Sequence, residues 1–376
     1  MRGHVHKRGK TWTYVLDTGR DAATGIRHQR TKGGFRTRKA AEDAMSVALT
    51  AMNDGTYISP DPQTVGEWID RWLPAMEPKV RPSTFRDYKM GLTRVKDRLG
   101  KKRLQDLRPL DVEDFYTSLL KTGHRFGGGL SPKSVRNVHI ALRRSLADAE
   151  RYGVVPRNVA ALVKPPLVTR PELTTWTADD VRTFLASVTD DRLSALYRCL
   201  ITTGMRRGEA LGLRWSSTNL DASRVLVERS LVVVNDVVGW SAPKTPRSRR
   251  AVSLDAESVV AMRAHRKRQL EERVLAGDAW EDQDLVFCDG LGGPLHPDRF
   301  TRTFQSAARR AGVPRIRLHD LRHTWATLAL TAGVHPKVVS ERLGHATTAI
   351  TLDVYSHVQP ILDAEAAGTV ADLFAG

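Results

Sequence analysis

Four short segments in the second half of the chain contain the residue types best suited to chemistry. They are residues 203–209, 243–245, 318–323 and 343–345, and Tyr355 follows the last of them by ten positions. Together they supply arginines, a lysine, histidines and a tyrosine. Arginine can hold phosphate oxygens through two parallel hydrogen bonds. An oxygen nucleophile, two guanidinium groups and a proton donor are what phosphodiester transfer without a metal ion requires.

The spacing of one segment places two of these groups side by side. His319 and Arg322 are three residues apart in a predicted helix, so they share one face. His319 and His323, four residues apart, also resemble a zinc-binding helix. In such a helix glutamate follows the first histidine, whereas Asp320 follows it here and the basic Arg322 comes before the second histidine. We therefore predict no metal site.

Each residue of the set also has a plainer interpretation. A single tyrosine on an amphipathic helix most often belongs to a hydrophobic core. Arg206 at a helix start can be a surface charge, and Lys244 in a basic loop can be a simple phosphate contact. The ordered combination is more specific than any of its members.

That ordered combination resembles the tyrosine recombinases, the family of phage-type integrases. The family's first box is matched at residues 203–209, its His-x-x-Arg box at residues 319–322 and its Leu-Gly-His at residues 343–345. Its β-hairpin lysine and its tyrosine nucleophile are matched as well. The six active-site positions carry the expected residue types in the expected order: Arg206, Lys244, His319, Arg322, His345 and Tyr355.

The resemblance implies a mechanism with a covalent intermediate. Tyr355 would attack a DNA phosphate and leave a 3′-phosphotyrosyl bond and a free 5′-hydroxyl. Arg206 and Arg322 would hold the non-bridging oxygens, and Lys244 would protonate the leaving 5′-oxygen. His319 would accept the proton of the tyrosine.

Two further roles follow from the same resemblance. His345 would donate a hydrogen bond to the phosphate, and Glu209 would position its neighbours rather than touch DNA. Because the phosphotyrosyl bond stores the energy of the broken bond, no ATP or other cofactor is expected. The sequence contains no complete Walker loop of the form G-x-x-x-x-G-K-[ST].

Charge along the 376-residue chain is uneven. Lys and Arg number 59 against 42 Asp and Glu, a formal net charge of +17. Residues 1–60 carry net +6 and residues 61–160 net +8, which leaves +3 for the rest. A positive excess of this kind suits nucleic acid. No apolar run is long enough to span a membrane, the N-terminus lacks a signal peptide, and two cysteines make no disulfide framework, so we expect an intracellular protein.

The N-terminal segment predicts a small sheet followed by one helix. Residues 11–16 and 26–35 have strand-like composition, with a turn at 21–25, and Thr37 begins a helix that runs to about Asn53. This segment resembles the three-stranded arm-binding domains of larger integrases, and we assign residues 1–59 to it. The candidate DNA contacts here are Arg30, Lys32 and Arg36.

The next segment predicts a four-helix, all-α core-binding domain of the SAM-like kind over residues 62–158. Its helices begin at a capping box formed by Thr64 and Glu67, at Ser83, at Asp111, and at Ser131. Pro132 then occupies the first helical position. The candidate DNA contacts are Arg136, Arg143 and Arg144, and a proline-rich linker over 159–175 follows.

Residues 176–376 predict a mainly helical α+β catalytic domain with a tail from residue 358. Residues 177–203 read as helical with a turn midway, 225–234 as one strand, 235–240 as a hairpin turn region, and 251–254 as a returning strand. Helices are predicted at 255–276, 297–311, 318–332, 335–342 and 347–357. The basic stretch before the returning strand adds two candidate DNA contacts, Arg247 and Arg249.

The predicted function is that of a site-specific recombinase that integrates and excises a phage or other mobile element. Its partners would be double-stranded core and arm attachment sites, an accessory DNA-bending or directionality factor, and further copies of the chain in a tetramer held by the tail. We place it in the bacterial cytoplasm, at the nucleoid and not at a membrane. Two alternatives stay open: a type IB topoisomerase, and a DNA-binding regulator without catalytic activity.

Overall fold

A computed structural model of the chain describes residues 3–20, 27–54, 57–124, 127–169, 173–234, 236–241 and 249–344, together with Phe374. The chain divides into two compact units, Met1–Thr169 and Arg170–Gly376. Within the described residues, no helix combines the length and the apolar character that a membrane span needs.

The first unit begins with a three-stranded antiparallel sheet and a helix. The strands are β1 (Gly3–Arg8), β2 (Thr11–Arg20) and β3 (Arg27–Phe35), with β2 in the centre, and α1 (Arg38–Asn53) follows. The Thr37 hydroxyl caps α1 by accepting from the Ala40 backbone N–H at 3.1 Å. The strand predicted at residues 11–16 and the helix predicted from Thr37 are both present. β1 was not predicted, because its sequence lacks the apolar alternation that is typical of a strand. The predicted turn at 21–25 lies outside the described residues.

Four helices make up most of the remaining described residues of the first unit. They are α2 (Val65–Met76), α3 (Pro82–Leu99), α4 (Pro109–Thr122) and α5 (Pro132–Arg151). The predicted capping box forms: Thr64 N–H donates to Glu67 Oε2 at 2.7 Å, and Glu67 N–H donates to Thr64 Oγ1 at 3.2 Å. The Ser131 cap also forms.

Two helices of this unit begin earlier than predicted. The helix expected from Ser83 starts at Pro82, and the one expected from Asp111 starts at Pro109. A proline fits the first helical turn because the N–H that it lacks has no intrahelical partner there. Asp111 instead accepts a hydrogen bond from the backbone N–H of Arg108 at 2.8 Å.

Where the structure describes it, the second unit is mainly helical and carries two small sheets. Its helices are α6 (Ala178–Ser187), α7 (Ser194–Thr203), α8 (Arg207–Leu211), α9 (Ala256–Ala276), α10 (Pro297–Arg310), α11 (Asp320–Thr331) and α12 (Pro336–Leu343). Its strands are β4 (Thr218–Asn219), β5 (Arg224–Val227), β6 (Ser230–Val234), β7 (Val237–Ser241) and β8 (Arg250–Ser253). The predicted helix at 347–357 lies outside the described residues.

The single strand predicted at 225–234 is wrong, because the segment belongs to two different sheets. β5 pairs with β4 and β8, whereas β6 pairs with β7. Glu228 and Arg229 lie between β5 and β6, and their side chains bond to residues 212–214, which precede both sheets. Arg229 Nε donates to the Gly212 carbonyl at 3.0 Å, and Glu228 accepts from Arg214 at 2.9 Å. These bonds break the ladder in the middle of an otherwise strand-like run. β7 also takes up much of the predicted turn region.

Packed aromatic rings form the centre of the second unit. Trp176, Phe184, Tyr197 and Phe304 are almost completely buried, and the Trp176 and Phe184 ring centroids lie 5.0 Å apart. Both cysteines of the chain, Cys199 and Cys288, are buried in this unit as free thiols. Burial raises the pKa of Cys199 to about 12.

Candidate active site

The first box places a partly exposed arginine at the start of a short helix. Gly204 ends α7 with a left-handed φ of +66°, and Arg206 then caps α8. Glu209 accepts from the Arg206 backbone N–H at 2.9 Å and from Arg206 Nη1 at 2.8 Å. The Arg206 side chain remains 41% exposed, whereas that of Glu209 is 7% exposed. The guanidinium is therefore tethered on one side and open to solvent on the other.

A second arginine shares the same carboxylate. Arg250, the first residue of β8, donates from Nη1 to Glu209 Oε1 at 3.2 Å and from Nη2 to Oε2 at 2.9 Å. Burial alone would raise the pKa of Glu209, but the hydrogen bonds and charges of Arg250 and then Arg206 outweigh it and hold the pKa at about 2. Glu209 is therefore ionised at neutral pH.

Arg322 of α11 approaches the same corner from the inside of the unit. It is 3% exposed and donates from Nη1 to the Gly204 carbonyl at 3.0 Å and from Nη2 to the Leu343 carbonyl at 2.7 Å. These carbonyls lie at the C-terminal ends of α7 and α12, where helix carbonyls lack intrahelical partners and the helix dipole is negative. Arg206 Nη2 lies 3.5 Å from the carbonyl of Gly344, the next residue. The two arginines thus meet at residues 343–344.

His319 lies immediately before α11 and beside both arginines. Desolvation, followed by the nearby His323, Arg322 and Arg206, lowers the pKa of His319 to about 4. The residue is still exposed to solvent, so a substrate can reach it. An imidazole that is neutral at pH 7 can accept a proton, as a general base must. In the described part of the chain, no group of three metal-ligating side chains occurs.

The structure thus gathers four of the predicted site residues: Arg206, Glu209, His319 and Arg322. Lys244, His345 and Tyr355 lie outside the described residues. Sequence reasoning missed Arg250, because it is the last residue of a basic stretch that looked uniformly suited to DNA. The one signal that could have separated it is its position at the start of the returning strand, where alternate side chains point inward.

The candidate DNA contacts are exposed wherever they are described. Arg30, Lys32, Arg36, Arg136 and Arg143 lie on the surface of the first unit. The other two form ion pairs: Arg144 with Asp148 at 3.6 Å, and Arg249 with Glu228 at 2.7 Å. Arg247 lies outside the described residues.

Three family profiles match the chain in succession. An arm DNA-binding domain matches residues 4–51, the N-terminal SAM-like domain of phage integrases residues 64–120, and the phage integrase family residues 175–360. The tyrosine recombinase XerD of Mycobacterium tuberculosis is 30% identical over 73% of this chain and 88% of its own length. A XerC-like tyrosine recombinase of Caldanaerobacter subterraneus is 27% identical over 98% of both chains.

Solved structures share the fold. The Tn1549 transposon integrase, in complex with a circular intermediate DNA, superposes with a TM-score of 0.63 at 19% identity over 78% of this chain and 95% of that chain. A lambda integrase tetramer bound to a Holliday junction gives 0.56 at 16% identity over 93% and 94%.

Arm-binding, SAM-like and catalytic domains in this order, mainly helical with small sheets, define a DNA recombinase. The chain belongs to the phage integrase family and is a tyrosine site-specific recombinase.

Proposed function

We propose that this recombinase integrates and excises a phage or other mobile element through a 3′-phosphotyrosyl intermediate. The observation that carries the proposal is the convergence of Arg206 and Arg322 on the corner at residues 343–344, with a neutral His319 near both arginines. Two guanidinium groups and a base at one point suit an in-line attack on a phosphodiester. The transposon from which the Tn1549 integrase takes its name supports a mobile element as the substrate.

The residues of the site would divide the reaction between them. Arg206 and Arg322 would neutralise the non-bridging oxygens as charge grows in the transition state. A tyrosine hydroxyl has a pKa near 10 in water and needs a base close by, which His319 would supply. Lys244 would protonate the 5′-oxygen, and His345 would donate a hydrogen bond to the phosphate. Tyr355 would be the nucleophile.

The remaining parts of the chain would hold the DNA. The proposed arm-binding domain (1–59) would bind arm sites through Arg30, Lys32 and Arg36. The core-binding domain (62–158) and the catalytic domain (176–376), joined by the linker at 159–175, would bind the core site. Contacts from the last two domains would come from Arg136, Arg143, Arg144, Arg247 and Arg249.

Strand exchange would need four copies of the chain. The lambda integrase tetramer on a Holliday junction supports such an assembly. We assign the contact between copies to the tail from residue 358, and we expect an accessory DNA-bending or directionality factor to choose between integration and excision. The reaction would take place at the nucleoid of the bacterial host.

Loss of the nucleophile tests the mechanism. A nicked duplex carrying the core site, read from the junctions of the element, traps the covalent product because the short strand downstream of the cleavage diffuses away. The wild-type protein is expected to form a protein–DNA adduct that is stable in detergent, and Tyr355→Phe to form none while still binding the duplex.

Two results would point elsewhere. A regulator without catalytic activity would bind the site and yield no adduct with any duplex. A topoisomerase would form the adduct and relax supercoiled plasmid, but would exchange no strands between two plasmids that carry sites.

A further inference from the structure

The carboxylate that tethers Arg206 has a second partner to which the proposed mechanism assigns no role. Arg250 donates two nearly parallel hydrogen bonds to Glu209, at 3.2 and 2.9 Å. A planar guanidinium that meets a carboxylate in this way fixes the rotation of the carboxylate as well as its place. Since Glu209 then holds the Arg206 guanidinium at 2.8 Å, the orientation of Arg206 depends on Arg250.

Arg250 also holds the opposite side of the site. Its Nε donates to the Arg342 carbonyl at 2.6 Å, in the last turn of α12. Its side chain packs on Gly344, where a Cβ would lie 3.2 Å from Arg250 Nη1. Gly344 has a left-handed φ of +67° and directly precedes His345. The same guanidinium therefore joins the first box to the chain that leads to His345 and Tyr355.

Burial separates this arginine from Arg206, the partly exposed member of the proposed phosphate-binding pair. The Arg250 side chain is 8% exposed, against 41% for Arg206. The hydrogen bonds described for its guanidinium go to Glu209 and the Arg342 carbonyl, within the protein. Arg250 can therefore act on the reaction through its neighbours, whereas the exposed part of Arg206 can contact DNA directly.

We propose that Arg250 is a positioning residue for strand cleavage, which orients Arg206 through Glu209 and holds the Gly344 corner through the Arg342 carbonyl. The proposal rests on the assignment of Arg206 to the scissile phosphate. Lysine cannot replace it, because one ammonium group cannot make the fork to Glu209 and reach the Arg342 carbonyl together. By analogy, substitution of the groups that orient metal ligands typically lowers affinity or activity by about 10–100-fold.

The first measurement is single-turnover cleavage of the nicked duplex by the full chain. Arg250→Lys and Arg250→Gln are each expected to cut more slowly by on the order of 10²-fold, the cost of a small misplacement in an active site. Binding of the intact duplex should stay near the wild-type affinity. Arg192→Lys is the matched control, because Arg192 in the same unit donates two hydrogen bonds to the Glu272 carboxylate, both at 2.6 Å. It should cut at the wild-type rate.

The second measurement separates positioning from general damage to the fold. A duplex with a methylphosphonate at the scissile position has one non-bridging oxygen replaced by a neutral methyl group, so it needs less help from an arginine. The ratio of methylphosphonate to phosphate cleavage rates should rise at least tenfold in Arg250→Lys, as in Arg206→Ala, and stay at the wild-type value in Arg192→Lys. Because one preparation gives both rates, the ratio does not depend on the folded fraction.

The outcomes are distinct. Wild-type rates in both Arg250 variants, or slow cleavage with an unchanged ratio, would overturn the positioning role and leave the proposed function intact. If Arg250→Lys is too unstable to assay, the ratio in Arg250→Gln decides. Failure of the wild-type protein to form any adduct would instead refute the proposed function, and this inference with it.

Discussion

Glu209 accepts hydrogen bonds through both carboxylate oxygens, from Arg206 and from Arg250. Two cations around one buried anion leave a net positive charge, and Arg322 adds another beside it. A carboxylate next to a phosphate-binding site would ordinarily repel the substrate. Here the second arginine offsets that cost, so Glu209 can hold Arg206 without neutralising the site.

Glu209→Gln should reveal this arrangement as a pH-dependent loss of stability. The pKa of Glu209 falls from 4.5 to about 2 on folding, so the ionised form stabilises the fold above pH 4.5. That contribution is lost as the pH falls from 4.5 towards 2. A shift of this size corresponds to about 3 kcal/mol. Urea unfolding of both proteins from pH 7 to pH 3 should show a gap in unfolding free energy that narrows only below pH 4.5.

Glu228→Gln is the control for that experiment. Glu228 also accepts from two arginines, Arg214 and Arg249, but its side chain is 20% exposed and the Arg249 side chain 64% exposed. Solvent screens such a pair, so Glu228→Gln should lower the free energy of unfolding clearly less than Glu209→Gln. Equal costs at both positions would contradict the importance given to the buried pair.

At the scale of elements, local signals in the sequence predicted helix starts better than strand pairing. Thr64 with Glu67 and Ser131 with Pro132 act within one turn, so their effect can be read from neighbouring residues. The split of residues 225–234 depends on Gly212 and Arg214, which lie elsewhere in the chain. No local pattern could show it.

The same contrast applies to the candidate site. Motif order predicted Arg206, His319 and Arg322, which the structure brings together. Arg250 depends on three-dimensional contacts with Glu209 and the Arg342 carbonyl, and its position at the start of the returning strand was the one sequence signal that pointed to it. The predicted catalytic roles of all six residues, with Lys244, His345 and Tyr355 outside the described part of the chain, stay predictions.

Gly204→Ala should damage the junction between α7 and the first box. Gly204 has φ +66°, and an added Cβ would lie 2.7 Å from Leu343 and 3.1 Å from the Trp325 ring. The left-handed backbone costs an alanine about 1–2 kcal/mol, and the crowding adds about 1–3 kcal/mol. Thermal and urea unfolding should show the loss. Cleavage should fall as well, because the Gly204 carbonyl holds Arg322.

Gly333→Ala isolates the backbone part of this effect. Gly333 follows α11 with φ +78°, and an added Cβ there would meet no atom of the described residues within 4 Å. Gly333→Ala should lower the free energy of unfolding only by the cost of the left-handed backbone, about 1–2 kcal/mol, and leave cleavage unchanged. If the two alanine variants were equally stable and equally active, the close approach at Gly204 would have no importance for the site.

At the scale of the whole molecule, most of the excess positive charge belongs to the first unit, whereas the candidate site belongs to the second. Residues 1–160 carry +14 of the net +17. Each phosphate contact releases a bound counterion, so the salt dependence of binding reports the number of phosphate contacts. Most of the salt dependence should therefore arise in the first unit, because the candidate site would place only a few cations on one phosphate.

A triple substitution in the full chain tests this division. Arg30→Gln, Lys32→Gln and Arg36→Gln together should lower the slope of log affinity against log salt by about 0.9 for each phosphate that the protein no longer neutralises. The decrease is expected on a duplex that carries arm and core sites. On a duplex with the core site alone, the variant should match the wild type, and an equal decrease on both duplexes would refute arm binding by these residues.

The two buried cysteines have a practical consequence. Cys199 and Cys288 are the only thiols in the chain, each is about 1% exposed, and the pKa of each is raised by burial. Reagents attack the thiolate, which neither side chain presents to solvent. A single cysteine introduced on the surface would therefore take a fluorophore selectively in the otherwise unaltered protein. Energy transfer between labelled copies could then follow the assembly of the recombinase on DNA in real time.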